Sequence, residues 1–387
     1  LKNRVVLLAS MFVNMGIGLI MPITTLFIHE KLKQSLVVAG YVLMGFSIAM
    51  VLGNLLGGFL LDRWRVKGTH YLGGIIVIGS LAIIALYPIW PLYAFIVVFY
   101  GLGLGILNSA VNGYIAYLQK KDNAIFTNAY WLANVGMGVS TFLSGILFSI
   151  GIRAVFLSSM FLFIITIIMI IFYFKPIEQK RKTKKDSIGK IGRDEKSLVS
   201  LGIICLTVII VWIGYEQWNS NISVLMLSKG ISVQKYSFLF TISTLEIIIF
   251  QPLMRPLFKS SFKSEKKRVI LGVLMFALSY LLILNATTYW RFILGITALS
   301  IGDILALTTL PALLNRYAND SNRASIQSVS STAGSLGRSL GPLMGGYIIS
   351  QYSYNILFIM IFSAHLILLP LIMSLKKSIG FDGERGK

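Results

Sequence analysis

The sequence predicts an all-α membrane protein with twelve transmembrane helices in two pseudo-symmetric six-helix bundles. Three observations carry that prediction. Of 387 residues, 56% are hydrophobic and 13% charged, and the mean hydropathy is +0.79, far from the make-up of a soluble domain. A hydrocarbon core of roughly 30 Å needs about 20 helical residues to cross it, and about twelve such runs follow one another from end to end. The second half also repeats the first at an offset of about 201 residues.

The expected spans are 5–27, 38–61, 70–88, 91–118, 126–150, 153–174, 198–227, 234–257, 269–286, 289–314, 322–350 and 353–374. The runs are continuously apolar and do not alternate, which excludes a β-barrel. The first lacks a small-residue cleavage site after a short core, so it reads as a retained helix and not a signal peptide. The fourth contains GLGLG, Gly101 to Gly105; inside a span such glycines serve helix packing and not phosphate binding. The seventh holds the single cysteine, Cys205, in an apolar stretch, leaving no disulfide and no thiol metal site. Around spans four to six and ten to twelve the repeat sets Gly101 on Gly302, Gly136 on Gly337, Gly145 on Gly346 and Phe148 on Ile349. The expected domains are 1–174, a basic linker 175–197, and 198–387.

A net charge of +21 and a pI near 10 raise the question of nucleic acid, but the placement of the charge argues against it. Alternate loops are basic. Roughly 28 Lys and Arg fall on the side of both termini and about 6 on the other, which makes the termini cytoplasmic and the expected location the plasma membrane. The linker KPIEQKRKTKKDSIGKIGRDEK, Lys175 to Lys196, reads as a solvated segment facing anionic lipid. No enzyme signature is present: His29, His70 and His365 are dispersed, with no metal spacing and no nucleophile constellation. No cofactor is expected, and no nucleotide-binding domain stands ready to use ATP.

Parallel six-helix repeats put a substrate site near the bilayer midplane, reached from alternate sides. Four ionisable residues lie deep in the spans: Glu216, Glu246, Asp303 and Arg338. Each costs about 2.5–3.5 kcal/mol if it faces lipid, so each is expected to face protein or a wet cavity. Three acids against one base leave an excess, and a carboxylate held out of water can carry a proton across. Arg338 is expected to pair with Asp303 or Glu246 at its depth. Glu216, among Tyr215, Gln217 and Trp218 with no base nearby in the sequence, is the expected proton carrier. The competing reading is that Arg338 and one acid merely weld helices together.

After the second span, GGFLLDRWRVKG (Gly57 to Gly68) resembles the Gly-x-x-x-Asp-Arg signature of the major facilitator superfamily (MFS), over a chain whose spans and repeat match that fold throughout. The resemblance implies a cytoplasmic gate at Asp62 and Arg63. Within the superfamily, IGYEQW around Glu216, SIGDILALTTLP around Asp303 and GRSLGPLMGG (Gly337 to Gly346) resemble the Gram-positive multidrug drug:proton antiporters. The chain departs from them in lacking a fourth-span arginine and a fifth-span Gly-Pro step, with Thr141 at the repeat position of Pro342. The resemblance implies a pathway lined by the first, fourth, seventh and tenth helices. It makes Asn14, Asn108, Asn112, Tyr215, Gln217 and Trp218 candidate substrate contacts. The function expected is proton-coupled efflux of small amphipathic, often cationic compounds by a monomer in the lipid bilayer. The alternatives are a dedicated metabolite, siderophore or lipid exporter, and a transporter-like sensor or passive facilitator.

Overall fold

A computed structural model describes residues 2–63, 66–119, 125–174, 195–254, 261–317 and 323–376. Among the described residues the regular secondary structure is all helix, joined by turns and short links. The first half holds α1 (Lys2–Leu26), α2 (Leu36–Arg63), α3 (Val66–Leu86), α4 (Leu92–Gln119), α5 (Ile125–Ile150) and α6 (Ile152–Tyr173). The second holds α7 (Glu195–Asn219), α8 (Asn221–Ser228), α9 (Val233–Met254), α10 (Phe262–Ile283), α11 (Tyr289–Gly302), α12 (Leu310–Asn315), α13 (Arg323–Gln351) and α14 (Tyr354–Met373). Three spans are composite. The first runs on through a π-helical turn, Phe27–Lys31; the seventh is α7 and α8, interrupted at Ser220; the tenth is α11, a π-helical turn at Asp303–Leu307, and α12.

Ten helical stretches among the described residues are long and apolar enough to cross a bilayer. The other two expected spans, α10 and α13, are helical but more polar: α10 opens on FKSEKKR, and α13 carries serines, glycines and Arg338 along its length. The break in the tenth span has a local cause. Pro311 has no N–H to offer the carbonyl one turn earlier, and the Thr308 hydroxyl bonds back to Ile304 O at 2.6 Å, so the regular ladder gives way just after Asp303.

Packing divides the chain into two units. The first comprises α1 to α6 with Gln217–Ile248 and Pro342–Gln351; the second comprises α7 as far as Glu216, the chain from Ile249 to Gly341, and that from Tyr352. In the first unit α2 and α4 approach so closely that a Cβ on Gly105 would meet the Met50 carbonyl, which is the packing role read for GLGLG. The internal repeat is visible in the contacts. Gly136 is seated on Met11 in the first unit and Gly337 on Trp212 in the second, and both partners of each pair are related by the same shift of about 201 residues. Lys67 donates to Ile171 O at 3.0 Å at the end of α6, and Lys266 donates to Met373 O at 2.7 Å at the end of α14. A lysine beside the last carbonyls of a helix both satisfies them and opposes the helix dipole.

In the second unit Arg316 grips Glu265 with two hydrogen bonds, Nε to Oε2 at 2.7 Å and Nη2 to Oε1 at 2.8 Å. Glu265 is 6% exposed and holds this bidentate partner, with Arg268 as a second electrostatic neighbour. Replacing Arg316 by methionine is expected to cost roughly 3 kcal/mol, the low end for breaking a buried pair because Arg316 itself is partly exposed. The check is the thermal unfolding temperature of the detergent-purified protein, which should fall clearly below that of the parent.

Candidate functional site

The second unit gathers one group of polar side chains about α7. Trp212 and Glu216 are four residues apart and therefore share a face, with Tyr215 beside them; the Trp212 and Tyr215 rings meet edge to face at 5.2 Å. The helix α13 lies directly on that face. A Cβ on Gly337 would stand 2.5 Å from Ile209 O, and one on Gly341 would stand 3.0 Å from the Glu216 Cβ. This approach sets the Arg338 guanidinium over the Trp212 ring at 4.3 Å, where it also donates to Ser335 Oγ at 3.3 Å. Glu216 is its electrostatic partner. Tyr280 on α10 closes the group: its hydroxyl donates to Gly214 O, and its ring stacks near His365 on α14. His365 is fully buried and its Nδ1 hydrogen-bonds Ile361 O at 2.8 Å; because a carbonyl only accepts, Nδ1 is the protonated nitrogen.

The expected partners of Arg338 are Asp303 and Glu246; the acid whose charge acts on it in the structure is Glu216. Counting residues puts Glu246, Asp303 and Arg338 near mid-depth and Glu216 somewhat toward the extracellular side, but the side of each helix decides who meets whom. The glycine face of α13 settles on the Trp212 and Glu216 face of α7. Asp303 begins the π-helical turn of the tenth span and is half-buried, and among the described residues it has no charged partner. The two acids have therefore exchanged the surroundings expected of them. π-Helical turns widen the backbone and recur at functional sites, which adds to the interest of Asp303.

The first unit holds the remaining candidates. Asn14 is half-buried and donates from Nδ2 to Ser10 O at 2.8 Å. Asn112 donates from Nδ2 to Asn108 Oδ1 at 3.2 Å, so the two amides form a ladder on one face of α4, the outer one exposed. Gln217 and Trp218 have a different setting. Both are fully buried: Gln217 Oε1 accepts from Asn221 Nδ2 at 2.7 Å against Gly345, and the Trp218 carbonyl accepts from the Tyr236 hydroxyl at 2.8 Å. Glu246 is half-buried on α9. The gate residues Asp62 and Arg63 close α2; their side chains, with residues 64–65 of the signature, lie outside the described residues. Trp212 and Tyr280 were missed by the sequence reading. The four-residue step from Trp212 to Glu216 was a usable signal for the first, whereas nothing in the sequence ties Tyr280 to α7.

The sequence model of a family described as Major Facilitator Superfamily matches residues 6–218 and 204–379. The chain is 30% identical over 355 residues to the Bacillus subtilis (strain 168) protein called "Uncharacterized MFS-type transporter YttB", covering 91% of this chain and 89% of that protein. Similar solved structures include a POT family transporter in complex with 5-aminolevulinic acid, with a TM-score of 0.81 and 13% identity over 96% of this chain and 95% of that one. Another is the in meso crystal structure of the POT family transporter PepTSo, with a TM-score of 0.76 and 12% identity over 96% of this chain and 97% of that one. At such identities the structural likeness carries the fold.

Proposed function

The chain belongs to the Major Facilitator Superfamily, and from that premise we propose that it is a proton-coupled exporter of small amphipathic, often cationic compounds. Membership makes it a membrane transporter and not an enzyme. In the proposed cycle it sits in the plasma membrane with both termini in the cytoplasm and works as a monomer by alternating access. The observation that supports coupling is the unequal setting of two membrane acids. Glu216 has Arg338 as its electrostatic partner, while Asp303 meets no charged side chain among the described residues.

Asp303 is therefore the group proposed to exchange protons, and a cationic substrate competes with the proton for its carboxylate. Glu216 and Arg338 supply a polar wall that is neutral overall, with Trp212 and Tyr215 adding aromatic surface for a flat or greasy substrate. Asn14, Asn108 and Asn112 are proposed as uncharged contacts that accept varied polar groups.

The experiment is reconstitution in liposomes with an imposed pH gradient. Uphill movement of a lipophilic cation that collapses with the gradient supports the exporter; equal flux with and without the gradient removes it in favour of a facilitator. A second reading, transport of one dedicated zwitterionic metabolite, draws on the Arg338 guanidinium as a carboxylate receptor, and the same vesicles distinguish it by competition with amino acids and short peptides. Replacing Arg338 by methionine is expected to lower export about tenfold, because the wall loses the cation that balances Glu216. Replacing Arg338 and Glu216 together by Met and Gln should restore part of that loss, which initial-rate measurements would show.

A further inference from the structure

A groove lies on the first unit outside the proposed transport site. It encloses about 470 Å³, is open on one side, and is walled by Met15 and Leu19 of α1, Leu143 and Ile146 of α5, and Leu157 and Phe161 of α6. Its polar content is slight: Ser140 turns its hydroxyl to Met137 O at 3.0 Å, which leaves Ser158 as the other hydroxyl in the wall. All of these residues belong to helices that cross the membrane, so the groove opens within the hydrocarbon layer.

The end of the groove is cationic. Arg153, Leu157 and Phe161 follow one another at four-residue steps, so they form one stripe along α6, with Arg153 about 6 Å above Leu157 and about 12 Å above Phe161. The three are exposed. Arg153 has one hydrogen bond among the described residues, a long one of 3.4 Å from Nη2 to Leu86 O, the last residue of α3. Just beyond it come the exposed Tyr87 and Trp90, the aromatic pair that marks a membrane–water boundary. Arg153 thus sits at headgroup level with most of its guanidinium unengaged, above an apolar slot that descends into the chain region.

We propose that this groove is a binding site for a phospholipid with an anionic headgroup, one acyl chain lying along Leu157 and Phe161 and the phosphate on Arg153. The charge complementarity and the spacing on one helix choose this occupant. A zwitterionic phospholipid offers Arg153 its phosphate but brings a choline or ammonium cation beside it, whereas a net-anionic headgroup answers the arginine without that repulsion, and a soluble ligand does not reach a slot inside the bilayer. The site is independent of the proton and substrate residues.

The test uses the full chain in phosphatidylcholine nanodiscs doped with a phosphatidylglycerol carrying a photoactivatable group in one chain. Crosslinks are expected at Leu143, Ile146, Leu157 and Phe161 in preference to Phe99 and Phe172, which are exposed on α4 and α6 away from the groove lining. Arg153→Gln should reduce labelling at Phe161 about fivefold, as expected for one arginine at an anionic headgroup, and Arg153→Lys should retain it. Ser158→Phe, which fills the slot and leaves Arg153 in place, should also reduce it. Labelling of Phe99 and Phe172 as strong as that of the groove, labelling indifferent to Arg153, or protein-to-protein adducts at Phe161 in place of lipid would each overturn the proposal.

Discussion

Asp303→Asn is expected to abolish uphill transport while leaving downhill flux measurable. The asparagine keeps the size and much of the hydrogen bonding of the aspartate, so the π-helical turn at Asp303–Leu307 and the packing of Gly272 on Ala306 have no reason to change. What is lost is the group that takes and gives a proton. Removal of a proton-transferring side chain costs on the order of 100-fold or more in the step it serves, and the pH-gradient-driven accumulation of a lipophilic cation should fall by that factor. Counterflow with substrate on both sides needs no net proton movement and should persist. Asp303→Glu should recover part of the accumulation. An Asp303→Asn protein that still concentrates substrate with the parent's dependence on pH would sink the assignment, and attention would return to Glu216 and Glu246.

Gly346→Leu is expected to have an effect of similar size by a different route. A Cβ at Gly346 would stand 2.5 Å from the Leu36 carbonyl, backbone at the start of α2 that has nowhere to go. Overpacking of this kind costs about 1–3 kcal/mol, enough to shift a two-state equilibrium roughly fivefold to 150-fold away from the arrangement seen here. Ser237 reports on it, because it is fully buried at the repeat-related contact with Gly145. In a background with Cys205 replaced by serine, a cysteine substituted for Ser237 should react slowly with a membrane-permeant thiol reagent, and Gly346→Leu should speed that reaction about tenfold while transport falls. A labelling rate indifferent to Gly346→Leu would show that the contact does not open during the cycle.

The spans and the repeat were legible because they are properties of sums and periods: hydropathy over about 20 residues and self-similarity over about 200 survive any local detail. Even α10 and α13, the two less apolar spans, were found in place. The partner of Arg338 was not legible. Depth follows from counting residues, but azimuth follows from which helix face carries the glycines, and the neighbour across that face comes from packing. Gln217 and Trp218 show the same limit, since they follow Glu216 in sequence yet are buried in the first unit against Gly345 and Tyr236. The break at Asp303 did leave a trace in the sequence, the LTTLP that ends its motif, where two threonines and a proline undermine the helix ladder.

The contacts of Gly145 and Gly346 have a further consequence. Gly145 of the first half meets Ser237 of the second, and Gly346 of the second meets Leu36 of the first; the members of each pair exchange under the shift of about 201 residues. That reciprocity is the rule of an isologous interface, in which position i of one copy meets j of the other and j meets i. Here it is written into a single polypeptide, as though a two-fold dimer of six-helix chains had been joined tail to head. The same seam is then used twice, and its two seats are no longer free to change independently: a residue that widens one spoils the fit that the other still demands.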